Sequence, residues 1–244
     1  MSDGSRPAAF GAQMREHLAR AEEQNAATLE QVAELLLKAI EGDARIHVAG
    51  TGHSTAMVLE TFYRAGGLAC VNPIVHPGLI PLLGGQASTL VERSDALASV
   101  LVAQAALEPG DVGFVFSNSG VNPLPVGIAQ EFRDAGIPVV AICSLPHLRI
   151  AEQRAPVKLD ALADHVLDTG VPYGDAVFSS GGTHTAALSS LTSVYLWNLL
   201  LAALAMASQT AGVDLPLWTS ANVQGGDQRN AELMARYRPR IPTL

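Results

Sequence analysis

Two apolar runs of strand length each pass directly into a small-residue loop and then into a helical pattern. Ile46-His47-Val48-Ala49 leads into Gly50-Thr51-Gly52-His53-Ser54, and Val112-Gly113-Phe114-Val115-Phe116 leads into Ser117-Asn118-Ser119-Gly120. A near-continuous apolar run is a strand covered on both faces, as in a parallel sheet with helices on either side. The 22 glycines and the low aromatic content, 5%, fit close helix–sheet packing better than a β-sandwich.

The rest of the chain repeats the alternation. Residues 14–41 read as one helix, with Leu18, Leu29, Val32, Leu36 and Ile40 on one stripe and Gly42 as its stop. That helix packs either on its own domain or on a neighbouring subunit, and residues 1–13 read as a short flexible lead. The pattern then predicts a helix over 54–65, a strand over 68–75 after Gly66-Gly67, and a Pro/Gly-rich loop with a broken helix over 76–90. Helices follow over 95–107 and 123–135, and strands over 138–142 and 165–168. Residues 144–160 read as irregular, 170–182 as loop, and 183–207 as a long apolar helix. The expected fold is α/β: a doubly wound, mostly parallel sheet over residues 43–244, with an N-terminal helix over 14–42 and a C-terminal tail. On such sheets ligands sit outside the carboxyl ends of the strands, near a switch in strand order.

Composition narrows the surroundings. A net charge of −8 argues against non-specific nucleic-acid binding. Cys70 and Cys143 lie in apolar stretches and read as buried thiols in a reducing, cytoplasmic compartment. The start of the chain lacks a basic-then-apolar signal pattern. The run from Val194 to Ala207 is short for a bilayer, carries Asn198 and lacks basic flanks, so a buried helix and no membrane partner are expected.

The two loops offer hydroxyls and backbone N–H groups at helix N-termini, where an anion is favoured. The first departs from a dinucleotide fingerprint, because Thr55 stands where a third glycine belongs, and from a phosphate-binding Walker loop, because the terminal lysine is missing. Gly52-His53-Ser54-Thr55-Ala56 approaches a hydrolase nucleophile elbow, with Asp168 or Asp175 and then His184 in the required order. That reading leaves no room for the strands that precede such an elbow and does not explain the second loop. In the second loop Ser117, Asn118, Ser119 and Asn122 are more polar groups than a turn needs, and Asn122 stands where it would cap the helix starting at Pro123. Together the loops point to a ligand carrying a phosphate and several hydroxyls.

This pair of strand–loop–helix units resembles the sugar isomerase (SIS) family, whose fold is a flavodoxin-like three-layer sandwich. Phe62-Tyr63-Arg64-Ala65-Gly66-Gly67, Gly170-Val171-Pro172-Tyr173-Gly174-Asp175-Ala176 and Ser220-Ala221-Asn222-Val223-Gln224-Gly225-Gly226-Asp227 resemble its stand-alone bacterial members, so the likeness runs over about residues 30–240. The resemblance implies that Ser54, Ser117, Asn118, Ser119 and Asn122 hold the phosphate of a phosphosugar, with backbone N–H groups helping; Gly52, His53 and Gly120 of the same loops complete the expected substrate-binding set. It also implies a homodimer or homotetramer with sites near subunit contacts. Val121 departs from the polar residue many relatives carry there, and Asn122 from their Ser or Thr.

Aldose–ketose isomerisation requires a base at the carbon next to a carbonyl, a group for ring opening, and donors for the enediolate. Glu60, among Met57, Val58, Leu59 and Phe62, is the candidate base, since an apolar surround favours the proton-binding form; it points off the helix face of Ser54. His184, read at the start of the long helix, is the candidate second group, with imidazole kept neutral there. His53 and Asp175 are candidates for sugar hydroxyls, and His76 is a weaker one. Phosphoheptose isomerases of this fold hold a metal partly through a histidine on the last helix; Thr192 falls near that place, Ser189 falls where they carry Gln, and no pair of His or Cys has metal spacing, so neither metal nor cofactor is expected. A phosphosugar sensor without catalysis and an amino-sugar-phosphate lyase are the alternative functions.

Overall fold

The computed structural model describes residues 7–220 and 222–244. A five-stranded sheet lies at its centre, in the order β2-β1-β3-β4-β5, with every pair parallel. The strands are β1 (Ile46–Gly50), β2 (Val71–Ile74), β3 (Val112–Phe116), β4 (Val139–Cys143) and β5 (His165–Asp168). Their side chains alternate between two cores. Ile46, Val48, Phe114, Phe116, Val140 and Ile142 face one side, while Ala49, Val115, Val139, Ala141 and Cys143 face the other. The doubly wound α/β architecture expected from the sequence is therefore the one observed. Pro73 sits in β2, which is tolerated because β2 is an edge strand.

The first core is covered by α1 (Pro7–Glu41), α2 (Thr55–Thr61), α7 (Ser189–Ala211) and α8 (Gly226–Tyr237). The second is covered by α4 (Ala98–Gln104) and α5 (Pro123–Asp134). Helix α3 (Gly85–Glu92) and α6 (Leu145–Ile150) flank the carboxyl ends of the strands. α1 packs along α7 and β5, burying Ala21, Asn25, Leu29, Val32, Leu36 and Ile40 at helical spacing. It begins at Pro7, inside the stretch expected as flexible lead; residues 1–6 of that lead lie outside the described residues.

The chain departs from the sequence expectation at several places, each with a local cause. Helix α2 stops at Thr61 because Phe62 turns extended and Tyr63 takes a positive φ of 46°. Leu68 then bridges Leu217 instead of joining β2. Residues 145–150 of the stretch read as irregular form α6, capped by Ser144, whose Oγ accepts from the His147 amide at 3.1 Å. The largest correction concerns residues 176–187. They form an antiparallel hairpin, β6 (Ala176–Ser180) with β7 (Thr183–Ala187), around Gly181-Gly182 at φ 56° and 80°. Two positive φ values in a two-residue connection make a tight hairpin turn, so α7 starts at Ser189 rather than at 183. At 23 residues α7 is long and apolar enough to cross a membrane by length and composition, beyond the run read from sequence. Its inner face, Leu196, Trp197, Leu200 and Leu204, is the centre of the first core, with Trp197 edge-on to Phe114 at 5.4 Å.

One buried polar cluster underlies the strands. The Asp111 carboxylate accepts from the Arg45 amide at 2.7 Å and the Glu108 amide at 2.9 Å, pairs with the Arg45 guanidinium at 3.1 Å, and meets His47 Nε2 at 2.7 Å. Asn72 reaches His47 Nδ1 at 3.1 Å, so the ring presents its N–H to Asp111. Burial alone would push the Asp111 carboxyl up, but the His47 ring and the two amides hold it below the usual carboxylate range.

Candidate functional site

Strand order reverses between β1 and β3, which lie side by side with Gly50 opposite Phe116. The two sequence-predicted loops therefore leave from neighbouring carboxyl ends at the switch point, the position where open α/β sheets form a crevice.

Local geometry explains the glycines. A Cβ on Gly50 would stand 2.4 Å from the Ser54 carbonyl oxygen, so only glycine lets the first loop fold back into its 3-10 turn (Gly52–Ser54). Gly120, at φ 62°, would drive a Cβ to 2.6 Å from Leu148. Its amide donates to Ser117 Oγ at 3.3 Å, and Ser117 is buried. Ser54 and Ser119 are half-buried, and their hydroxyls take part in none of the side-chain bonds that organise the two loops. Asn118 accepts at Oδ1 from Thr169 Oγ1 at 3.0 Å, which ties the second loop to the end of β5. His53 is exposed.

Asn122 occupies the N-cap position of α5, but its side chain does not cap the helix. It turns into the crevice instead. Its Nδ2 donates to Glu92 Oε1 at 2.8 Å, and its Oδ1 accepts from the Arg154 guanidinium at 3.0 Å. The same Glu92 oxygen accepts from Thr51 Oγ1 at 2.9 Å. One carboxylate at the end of α3 thus joins both loops. Sequence reasoning missed Thr51, Glu92 and Arg154. Glu92 lies 41 residues after Thr51 and 30 before Asn122, a separation that no motif spacing encodes.

The remaining candidates lie elsewhere on the chain. Glu60 pairs with Arg64 one turn on and lines a small cleft against Trp197, Asn198 and Leu201 of α7, while Leu59 beside it is exposed. His184 sits on the exposed strand β7, not at the start of α7. Asp175 caps α7: Oδ1 accepts from the Leu188 and Ser189 amides at 2.9 and 2.8 Å, and Oδ2 from Ser189 Oγ at 2.6 Å. His76 accepts from the Gly78 amide at 3.1 Å. Thr192 is buried and bonds the Leu188 carbonyl at 3.1 Å.

A crevice with hydroxyls at two helix starts that are uncommitted among the described residues, one carboxylate and one guanidinium can hold an anionic, polyhydroxylated ligand and exchange a proton with it. Comparison with known proteins places this geometry. The model of the SIS domain matches residues 9–144. A UPF0309 protein of Brucella anthropi is 38% identical over 216 residues, 88% of each chain, and one of Listeria monocytogenes serotype 4b is 35% identical over 211 residues, 85% of each chain. Among solved structures, the phosphoheptose isomerase GmhA of Neisseria gonorrhoeae superposes with a TM-score of 0.51 at 18% identity, over 84% of this chain and 97% of that one. The sugar isomerase domain of an RpiR transcription factor from Sphaerobacter thermophilus superposes at 0.50 and 14% identity, over 96% and 98%. These two likenesses show a shared fold, while the family match and the curated relatives show descent: the chain belongs to the SIS domain family.

Proposed function

We propose that this protein binds a phosphorylated sugar in the crevice between the loops after β1 and β3 and interconverts its aldose and ketose forms by proton abstraction next to the carbonyl. The observation that carries the reading is the meeting of two serine-bearing turns at the switch in strand order, with the Ser54 and Ser119 hydroxyls uncommitted among the described residues. In this reading Ser54, Ser117, Ser119 and the loop segments around Gly52, His53, Asn118 and Gly120 take the phosphate. Asn122, already held between Glu92 and Arg154, faces the sugar hydroxyls. The name of the GmhA structure and the sugar isomerase label of the RpiR domain agree with this ligand class. The protein acts in the cytoplasm as a homodimer or homotetramer, without a cofactor, metal or nucleic-acid partner. Glu60 and His184 lie on other surfaces of the chain, so a catalytic role for either runs across a subunit contact.

A thermal-shift titration with pentose, hexose and heptose phosphates and their unphosphorylated counterparts tests the reading. Stabilisation by the phosphorylated forms alone is expected, with Ser119→Ala weakening affinity about tenfold or more, the loss of one hydrogen bond to a charged group. Equal response to both sugar forms, or unchanged affinity in the variant, would sink the assignment. Binding with no uptake of solvent deuterium into the sugar would make the protein a sensor instead of an enzyme.

A further inference from the structure

The Glu92 carboxylate is placed asymmetrically. Oε1 takes both loop bonds, from Thr51 Oγ1 and Asn122 Nδ2. Oε2 accepts no hydrogen bond among the described residues and lies over Gly52, where a methyl group on that glycine would stand 3.2 Å away. Gly52 is at φ 56°, so the first loop is held in a conformation that clears this oxygen. The carboxylate is half-buried, at the mouth of the crevice and between the two turns. A group that merely tied the loops together would need only a neutral acceptor. Here one oxygen is fixed by two donors, and the other, facing Gly52 of the first loop, accepts no hydrogen bond among the described residues. Fixed orientation with one open oxygen is what a general base requires.

We propose that Glu92, and not Glu60, is the acid–base group of this site, an assignment that rests on the phosphosugar reading above. Oε2 takes the proton from the carbon next to the carbonyl. The C–H bonding pair becomes the C=C bond of the enediol, and the carbonyl oxygen gains a proton from water. The carboxylic acid then returns its proton to the former carbonyl carbon, while the neighbouring hydroxyl gives its proton to water and becomes the new carbonyl. Arg154, reaching Asn122 from the opposite side, places a positive charge near the enediolate and offsets the carboxylate. Glu60 pairs instead with Arg64, in the cleft against α7.

The test uses the full chain in deuterated water with the same panel of pentose, hexose and heptose phosphates, following deuterium at the carbons flanking the carbonyl by NMR. Glu92→Gln keeps a carbonyl oxygen for both loop bonds and loses the base. It is expected to retain the ligand-induced thermal shift and lose exchange by about 10²-fold or more. Glu92→Asp, which withdraws the carboxylate by one methylene, is expected to retain slow exchange. Exchange by Glu92→Gln within about threefold of the unaltered protein, well short of the loss expected for a removed base, would overturn the assignment. So would loss of ligand binding together with exchange, which would mark Glu92 as a loop tie. If the unaltered protein binds no sugar phosphate, the phosphosugar reading itself fails; if it binds one without exchange, the isomerase reading and the Glu92 assignment fall together.

Discussion

Single residues show how chemistry and folding divide this chain. Asn122 was legible as a polar residue at a helix start, yet its side chain serves the crevice and leaves the helix uncapped. Asp175 was legible as a polar loop residue, and it turns out to be the cap of α7. Both outcomes depend on which partner arrives from elsewhere in the chain, and that is not a local property. Asp111 makes a pH prediction. Its folded-state carboxyl holds its proton less tightly than an unfolded one, because His47 and the amides of Arg45 and Glu108 outweigh the cost of burial. The unfolded chain therefore takes up the proton first as pH falls, and this contribution to stability, complete above about pH 4, is lost below it. Thermal denaturation followed by circular dichroism from pH 6 to pH 3 is expected to show that fall, and Asp111→Asn to flatten it. Cys70, whose thiol is pushed up to about 12 by burial, is expected to stay unmodified in the same native protein.

At the scale of elements, helix α1 closes an edge of the sheet through one side chain. Asn25 donates to the Asp168 carbonyl at 2.8 Å and accepts from the Asp168 amide at 2.7 Å, so an amide side chain stands in for the missing sixth strand. Its Nδ2 also bonds the Ala21 carbonyl at 2.7 Å. Asn25→Ala strands both backbone groups of Asp168 and is expected to cost ~2–3 kcal/mol, read as a lower urea midpoint with an unchanged slope. The hydrophobic stripe of α1 was plain in the sequence. The role of Asn25 within it was not, because a polar residue on a buried face is explained only by the partner it meets. The hairpin over 176–187 was missed for a different reason. Gly181-Gly182 is a turn signal, but the apolar run downstream made a helix the stronger local pattern, and the positive φ at both glycines decided for the turn.

For the whole molecule, α7 carries the main unanswered surface. Its inner face builds the core, yet its outer face presents Leu191, 52% exposed, and Met206, 72% exposed, along with Ala202 and Ala205. An apolar helix face open to water in a single chain is expected to be covered in an assembly. Sedimentation equilibrium of the full chain is expected to give a dimer or tetramer, and Leu191→Glu with Met206→Glu to shift it towards monomer. A monomeric unaltered protein would remove the route by which Glu60 or His184 could serve a neighbouring site.

The sequence by itself determined the strands and their two loops, because near-continuous apolar runs and glycines at forced turns are local consequences of burial and backbone sterics. It also determined that the serines lie at carboxyl ends of strands. Only the tertiary structure decided that Glu92 joins those loops, that Arg154 backs them, and that Glu60 and His184 stand apart. Those pairings form between segments tens of residues distant, brought together by the winding of the sheet, and no local pattern carries that information.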